Sequence, residues 1–119
     1  MSLQLDTELG SIHITDHCIA VMAGSAAMEC YGLVGMASRQ QLKDGIAELL
    51  GRENWTRGVI VRRQNEMLFI DLYVIVSYGI KISEVAHNIQ SKVRYVLNDV
   101  IGLHVDEVNI IVQDVRGSN

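Results

Sequence analysis

Hydrophobic and polar positions follow two clear periods along this chain, and the clearest stretch runs from Met67 to Gly102. Leu68, Ile70, Leu72, Val74 and Val76 alternate with other residues, which predicts a strand with all five on one face. Its second face carries a mixed set: Met67, Phe69, Asp71, Tyr73, Ile75 and Ser77. Beyond Gly79 the spacing lengthens to three and four. Ile82, Val85, Ala86, Ile89, Val93, Val96, Leu97 and Val100 predict one stripe of a helix over about 83–101, with Gly102 as its stop.

The same reading extends to both ends. Residues 1–9 read as a polar lead-in, and Gly10–Thr15 as a short strand with Ile12 and Ile14 on one face. Thr15 or Asp16 offers a side-chain oxygen to cap a helix running to about Cys30, with Gly32 at its C′ position. That helix is apolar nearly all round. Ile19, Met22, Ala23, Ala26 and Cys30 form one face, and Val21, Ser25 and Met28, with Gly24 beside them, form a second. A helix of this kind is covered on two sides: either it packs centrally between layers of the fold, or its second face, with Val21, Gly24, Ser25 and Met28, is the candidate self-association face.

Leu33–Met36 reads as a short buried strand. Ser38 with Gln41 has capping-box spacing for a helix over about 39–50, closed by Gly51. Gly58–Arg63 and the strand from Met67 then form a hairpin around Gln64-Asn65-Glu66. Val108, Ile110 and Val112 mark a last strand, placed parallel to the strand from Met67 by a right-handed crossover. The order β-α-β-α-β-β-α-β predicts an α+β, two-layer sandwich with a mixed β-sheet and helices on one face.

Composition narrows the function classes. One domain fits 119 residues that are 49% hydrophobic and 20% charged, and the apolar share suffices for a core without staples. A net charge of −4 argues against a dedicated nucleic-acid binder. Asp71 interrupts the strongest apolar run, leaving no stretch near the ~20 residues of a membrane helix. The opening MSLQLDTELG lacks a basic start and an apolar signal region, so a cytoplasmic protein is expected. Cys18 and Cys30 would stand about 18 Å apart along one helix, too far to bridge within it.

Candidate chemistry is sparse. His13 and His17 have a metal-chelating spacing, but the predicted helix begins between them, so no metal or cofactor site is expected. His87 falls on the polar side of the long helix and His104 beyond its stop. Arg52, Arg57, Arg62 and Arg63 cluster, yet Arg62 and Arg63 point to opposite strand faces. Gly32-Leu33-Val34-Gly35 matches the bare glycine spacing of RNA-clamping loops with an apolar inner pair. No phosphate-binding loop, paired-cysteine zinc motif or nucleophile elbow is present, so no catalytic residue is assigned. The anomaly is Asp71, an acid in mid-strand that would pair with Arg62 or another neighbouring cation. With Phe69 and Tyr73 on the same face it forms the candidate interaction surface.

One resemblance covers almost the whole chain, from Gly10 to Val115. The run VSYGIKISEVAHNIQSKVRYVLNDVIGLHVDEVNIIVQDV, preceded by RGVIVRRQ and IDLYVIV, resembles the alkaline-shock-protein, or Gls-type envelope stress response, family of Gram-positive bacteria. GSIHITDHCIAVMAGSAAMECYGLVGMA resembles the family's opening, glycines Gly10, Gly32 and Gly35 included, and the absence of charged tails resembles its short, YloU-like members. The resemblance implies a non-enzymatic, self-associating protein-interaction module in envelope homeostasis, with unknown protein partners and no catalytic residues. It also implies recruitment to the membrane by an anchored partner rather than direct insertion. The alternative is a small regulatory domain binding RNA or a small ligand.

Overall fold

The computed structural model describes residues 2–38 and 55–117. The helix expected over 39–50, its cap at Ser38–Gln41, Gly51 and Arg52 therefore fall wholly or partly outside the described residues.

Strand β5 (Met67–Ser77) is the centre of a mixed sheet. On one side it pairs antiparallel with β4 (Val59–Gln64) along its first half and with β3 (Leu33–Met36) near its end. On the other side β6 (Glu107–Arg116) runs parallel to it, as the crossover requires. The alternate residues Leu68, Ile70, Leu72, Val74 and Val76 are all buried. Against them pack α1 (Asp16–Met28), through Ile19, Ala20, Ala23, Ala26 and Ala27, and α2 (Ile82–Tyr95), through Val85, Ile89 and Val93. The alanines let α1 lie close to its neighbours. A Lys92–Glu29 ion pair at 3.6 Å joins the two helices near the end of α1.

Local chemistry sets the ends of these elements. Thr15 caps α1 by accepting the Cys18 N–H at 3.1 Å. The helix closes at Met28, two residues before the expected end, so Gly32 lies in the following turn rather than at C′. Its φ of +90° is the left-handed conformation that glycine adopts without a Cβ clash. After α2, Val96–Ile101 widens into a π-helical turn in which the Leu97 carbonyl accepts the Leu103 N–H at 2.8 Å. Gly102, at φ 91°, ends the turn, and Asn98 Oδ1 accepts the Val105 N–H at 2.9 Å, leading the chain back toward β6.

Three further expectations need correction. Residues 2–7 are not a polar lead-in but a strand, β1 (Ser2–Thr7), paired with β2 (Gly10–Thr15). The register runs from Ser2↔Thr15 to Thr7↔Gly10, and the apolar pair Leu5–Ile12 on one face supports that hairpin. As a result β2 belongs to a separate two-stranded sheet and not to the sheet around β5.

The third correction concerns the β4–β5 loop, which has two residues rather than three, because Gln64 pairs with Met67. Asn65 and Glu66 take φ of 51° and 67°, as a type I′ hairpin requires. Asparagine adopts that conformation at little cost, whereas glutamate adopts it under backbone strain. Glu66→Gly is expected to raise the unfolding free energy by about 0.5–1 kcal/mol, read from the urea midpoint.

Candidate functional site: the sheet face opposite the helices

The odd-numbered residues of β5 point away from α1 and α2. Register aligns Ile60 with Asp71 and Arg62 with Phe69 on β4, and Asn109 with Asp71 and Ile111 with Tyr73 on β6. Residues opposite one another share a face, so three strands bring these side chains together.

Asp71 is the hub of this face. Arg62 donates to it twice, Nε to Oδ2 at 2.6 Å and Nη2 to Oδ1 at 3.0 Å, and Asn109 Nδ2 donates to Oδ1 at 2.9 Å. This bidentate pairing is the cation that a mid-strand carboxylate requires. The bond to Asp71 raises the Arg62 pKa above its ordinary value, so the guanidinium stays charged. That guanidinium also lies over the Phe69 ring, 5.0 Å from the centroid.

The surface is consequently not built as its residue types suggested. Phe69 and Asp71 are each only 9% exposed, and Ile75 is fully buried. The Arg62 side chain is 44% exposed and Tyr73 is half-buried. Of the three residues proposed for contact, Tyr73 keeps an accessible surface, while Asp71 and Phe69 hold Arg62 in position from beneath. Asn109 escaped notice in the sequence, although the signal was there. An asparagine between Val108 and Ile110 in mid-strand is the same kind of anomaly as Asp71.

On the candidate self-association face the structure separates the four residues. Ser25 and Met28 are exposed, Val21 is half-buried and Gly24 is buried. Arg63 projects to the helix side of the sheet, as alternation demands, and binds Asp16 at the start of α1, while its Nε and Nη1 are buried without a hydrogen-bond partner. Arg62 and Arg63 thus form no continuous patch. The Gly32–Gly35 motif is a turn followed by strand β3, hydrogen-bonded to β5, so it is not a loop free to wrap a phosphate.

A cleft of about 330 Å³ lies between α2 and the start of β6, lined by His87, Gln90, Ser91, Arg94, Glu107 and Asn109 among others. Its longest side chains are engaged with backbone. Gln90 donates to the Val108 carbonyl at 2.9 Å, and Arg94 donates to those of Val105 and Asp106 at 3.0 and 3.3 Å. Among the described residues, no three His, Cys, Asp or Glu side chains gather to hold a metal ion. His13, His17 and Cys18 are exposed and separate. Cys30 is a half-buried free thiol whose pKa is raised by burial, with Lys92 acting in the opposite direction. No described helix is long and apolar enough to cross a membrane.

These features define a small α+β module with a braced face on its main sheet. The chain belongs to the alkaline shock protein 23 family, described as having a cell envelope-related function, whose profile matches residues 4–117. It is 58% identical over 119 residues to the uncharacterized protein YloU of Bacillus subtilis (strain 168), covering all of this chain and 99% of that relative. It is 40% identical over 116 residues to the uncharacterized protein Spy1614 of Streptococcus pyogenes serotype M6, covering 98% and 96% of the two chains. A second B. subtilis protein, the uncharacterized YqhY, is 35% identical over 105 residues, covering 88% of this chain and 76% of its own. No solved structure matches.

Proposed function

We propose that the protein is a non-enzymatic, self-associating interaction module in cell-envelope homeostasis. It acts from the cytoplasmic side and reaches the membrane through an anchored protein partner. The observation that supports this reading most is the sheet face over β5, where nearly buried Asp71, bonded to half-buried Asn109, fixes the exposed Arg62 guanidinium on the face that Tyr73 shares. Arginine and tyrosine on a rigid support are the residue types that dominate protein–protein recognition, because they bury area at low entropic cost. The family's envelope-related function supplies the setting.

Self-association is tested by sedimentation at micromolar concentration. A mass above the 13.2 kDa of one chain is expected, and a strict monomer throughout would overturn that part.

A further inference from the structure

The β1–β2 hairpin and β6 treat their free edges in opposite ways. Among the described residues no strand pairs with the outer edge of β6 or with the outer edge of β1. The β6 edge is guarded. Gln90 occupies the Val108 carbonyl, Arg94 occupies those of Val105 and Asp106 just before the strand, and the pairing register shifts between Val112 and Asp114. Occupied carbonyls and bulges are devices that stop a sheet edge from recruiting another strand.

Among the described residues the β1 edge carries neither an occupied carbonyl nor a bulge, and Asp6 is the one charged residue in that strand. The hairpin ladder runs without a shift from Ser2↔Thr15 to Thr7↔Gly10, and residues 2–15 contain no Lys, Arg or Pro. It is also two-faced. Gln4, Asp6 and Ser11 bond to one another on the polar face, with Gln4 Nε2 donating to Asp6 Oδ1 at 2.8 Å. On the other face Leu5 packs against the core while its cross-strand partner Ile12 remains half-exposed, and Leu9 at the tip is fully exposed. Two strands alone are marginal in water, whereas three or more with an apolar face are stable. β2 passes directly into α1, which Asp16 ties to Arg63 of β4, so β1 is the strand that stands outermost.

We infer that the outer edge of β1 docks the same edge of a second copy, giving a continuous four-stranded antiparallel sheet around a two-fold axis. This rests on the reading of the protein as self-associating and names the contact. The sequence of β1 suits its own partner. An antiparallel copy that keeps the apolar faces together is centred on Gln4 or on Leu5. Asp6 then meets Ser2 or Gln4 of the second copy, and the two carboxylates do not face each other. An isologous contact of this kind closes at two chains.

In a two-residue hairpin the pair beside the turn, here Thr7 and Gly10, is hydrogen-bonded, so alternation directs the Gln4 and Asp6 N–H groups outward. The test is amide exchange and light scattering on the intact protein. Twice the mass of one 13.2 kDa chain is expected, with exchange at Gln4 and Asp6 slowing as concentration rises. Gln4→Pro removes one outward donor at a position where an edge strand accepts proline, and should leave a monomer with unchanged helical circular dichroism. Ser25→Arg, on the exposed side of α1, should remain dimeric. If Gln4 and Asp6 exchange freely in a sample that scatters as a dimer, or if only Ser25→Arg dissociates it, the β1 contact is wrong while self-association stands. A wild-type monomer would overturn both.

Discussion

Gly32→Val should destabilise the fold by about 2–5 kcal/mol. A branched side chain pays roughly 1–2 kcal/mol for the left-handed conformation and about 1–3 kcal/mol for overpacking. The overpacking is specific: a Cβ at Gly32 would stand 2.6 Å from Ile80 Cδ1 and 2.8 Å from Val85 Cγ2. Val85 belongs to the core stripe of α2, and the Gly32 carbonyl accepts the Ser77 N–H at 2.9 Å. The glycine thus joins the turn after α1 to the turn that opens α2. Gly79→Ala is the control. Its φ of +89° is nearly the same, but nothing lies within 4 Å of its Cβ position, so only about 1–2 kcal/mol of backbone strain is expected. Urea midpoints of the two variants separate packing from strain. Equal losses would show that Gly32 is required for its φ alone.

Asp71→Ala has the next largest effect, and it falls on stability. The substitution removes a nearly buried carboxylate that accepts from both Arg62 and Asn109. Stranding the Asn109 amide and releasing the guanidinium should cost about 1–2 kcal/mol, toward the low side because Arg62 is exposed enough to turn to water. Binding should fall as well, since Arg62 loses its support. Tyr73→Ala is the complementary variant. The side chain is half-buried and keeps an accessible surface, so its loss should weaken partner binding more than it lowers the melting temperature.

The sequence carried most of this architecture wherever one period held without interruption. β5 and α2 are legible because five alternate apolar residues and a three-four stripe leave one arrangement for each. The parallel β6 followed from the crossover between them. β1 was obscured because its two leucines sit among Gln4, Asp6 and Glu8, and two apolar residues do not establish an alternation. The separation of β2 from the main sheet depended on that hairpin and was hidden with it. At the candidate site, the Asp71–Arg62 pair was legible as a charge that could not stay single. Asn109 was not, because its alignment with Asp71 depends on how β6 slides along β5. The guarding of β6 by Gln90 and Arg94 depends on where α2 comes to rest, which periodicity does not specify.

On the proposed function, the β5 face recognises a protein partner. The most direct test of this compares wild type and Tyr73→Ala as baits for envelope proteins from a Gram-positive cell, after their melting temperatures have been matched. The predicted result is one or more partners retained by wild type and lost by Tyr73→Ala at unchanged stability. The same set of proteins on both baits, or a loss of binding that tracks a loss of stability, would contradict it.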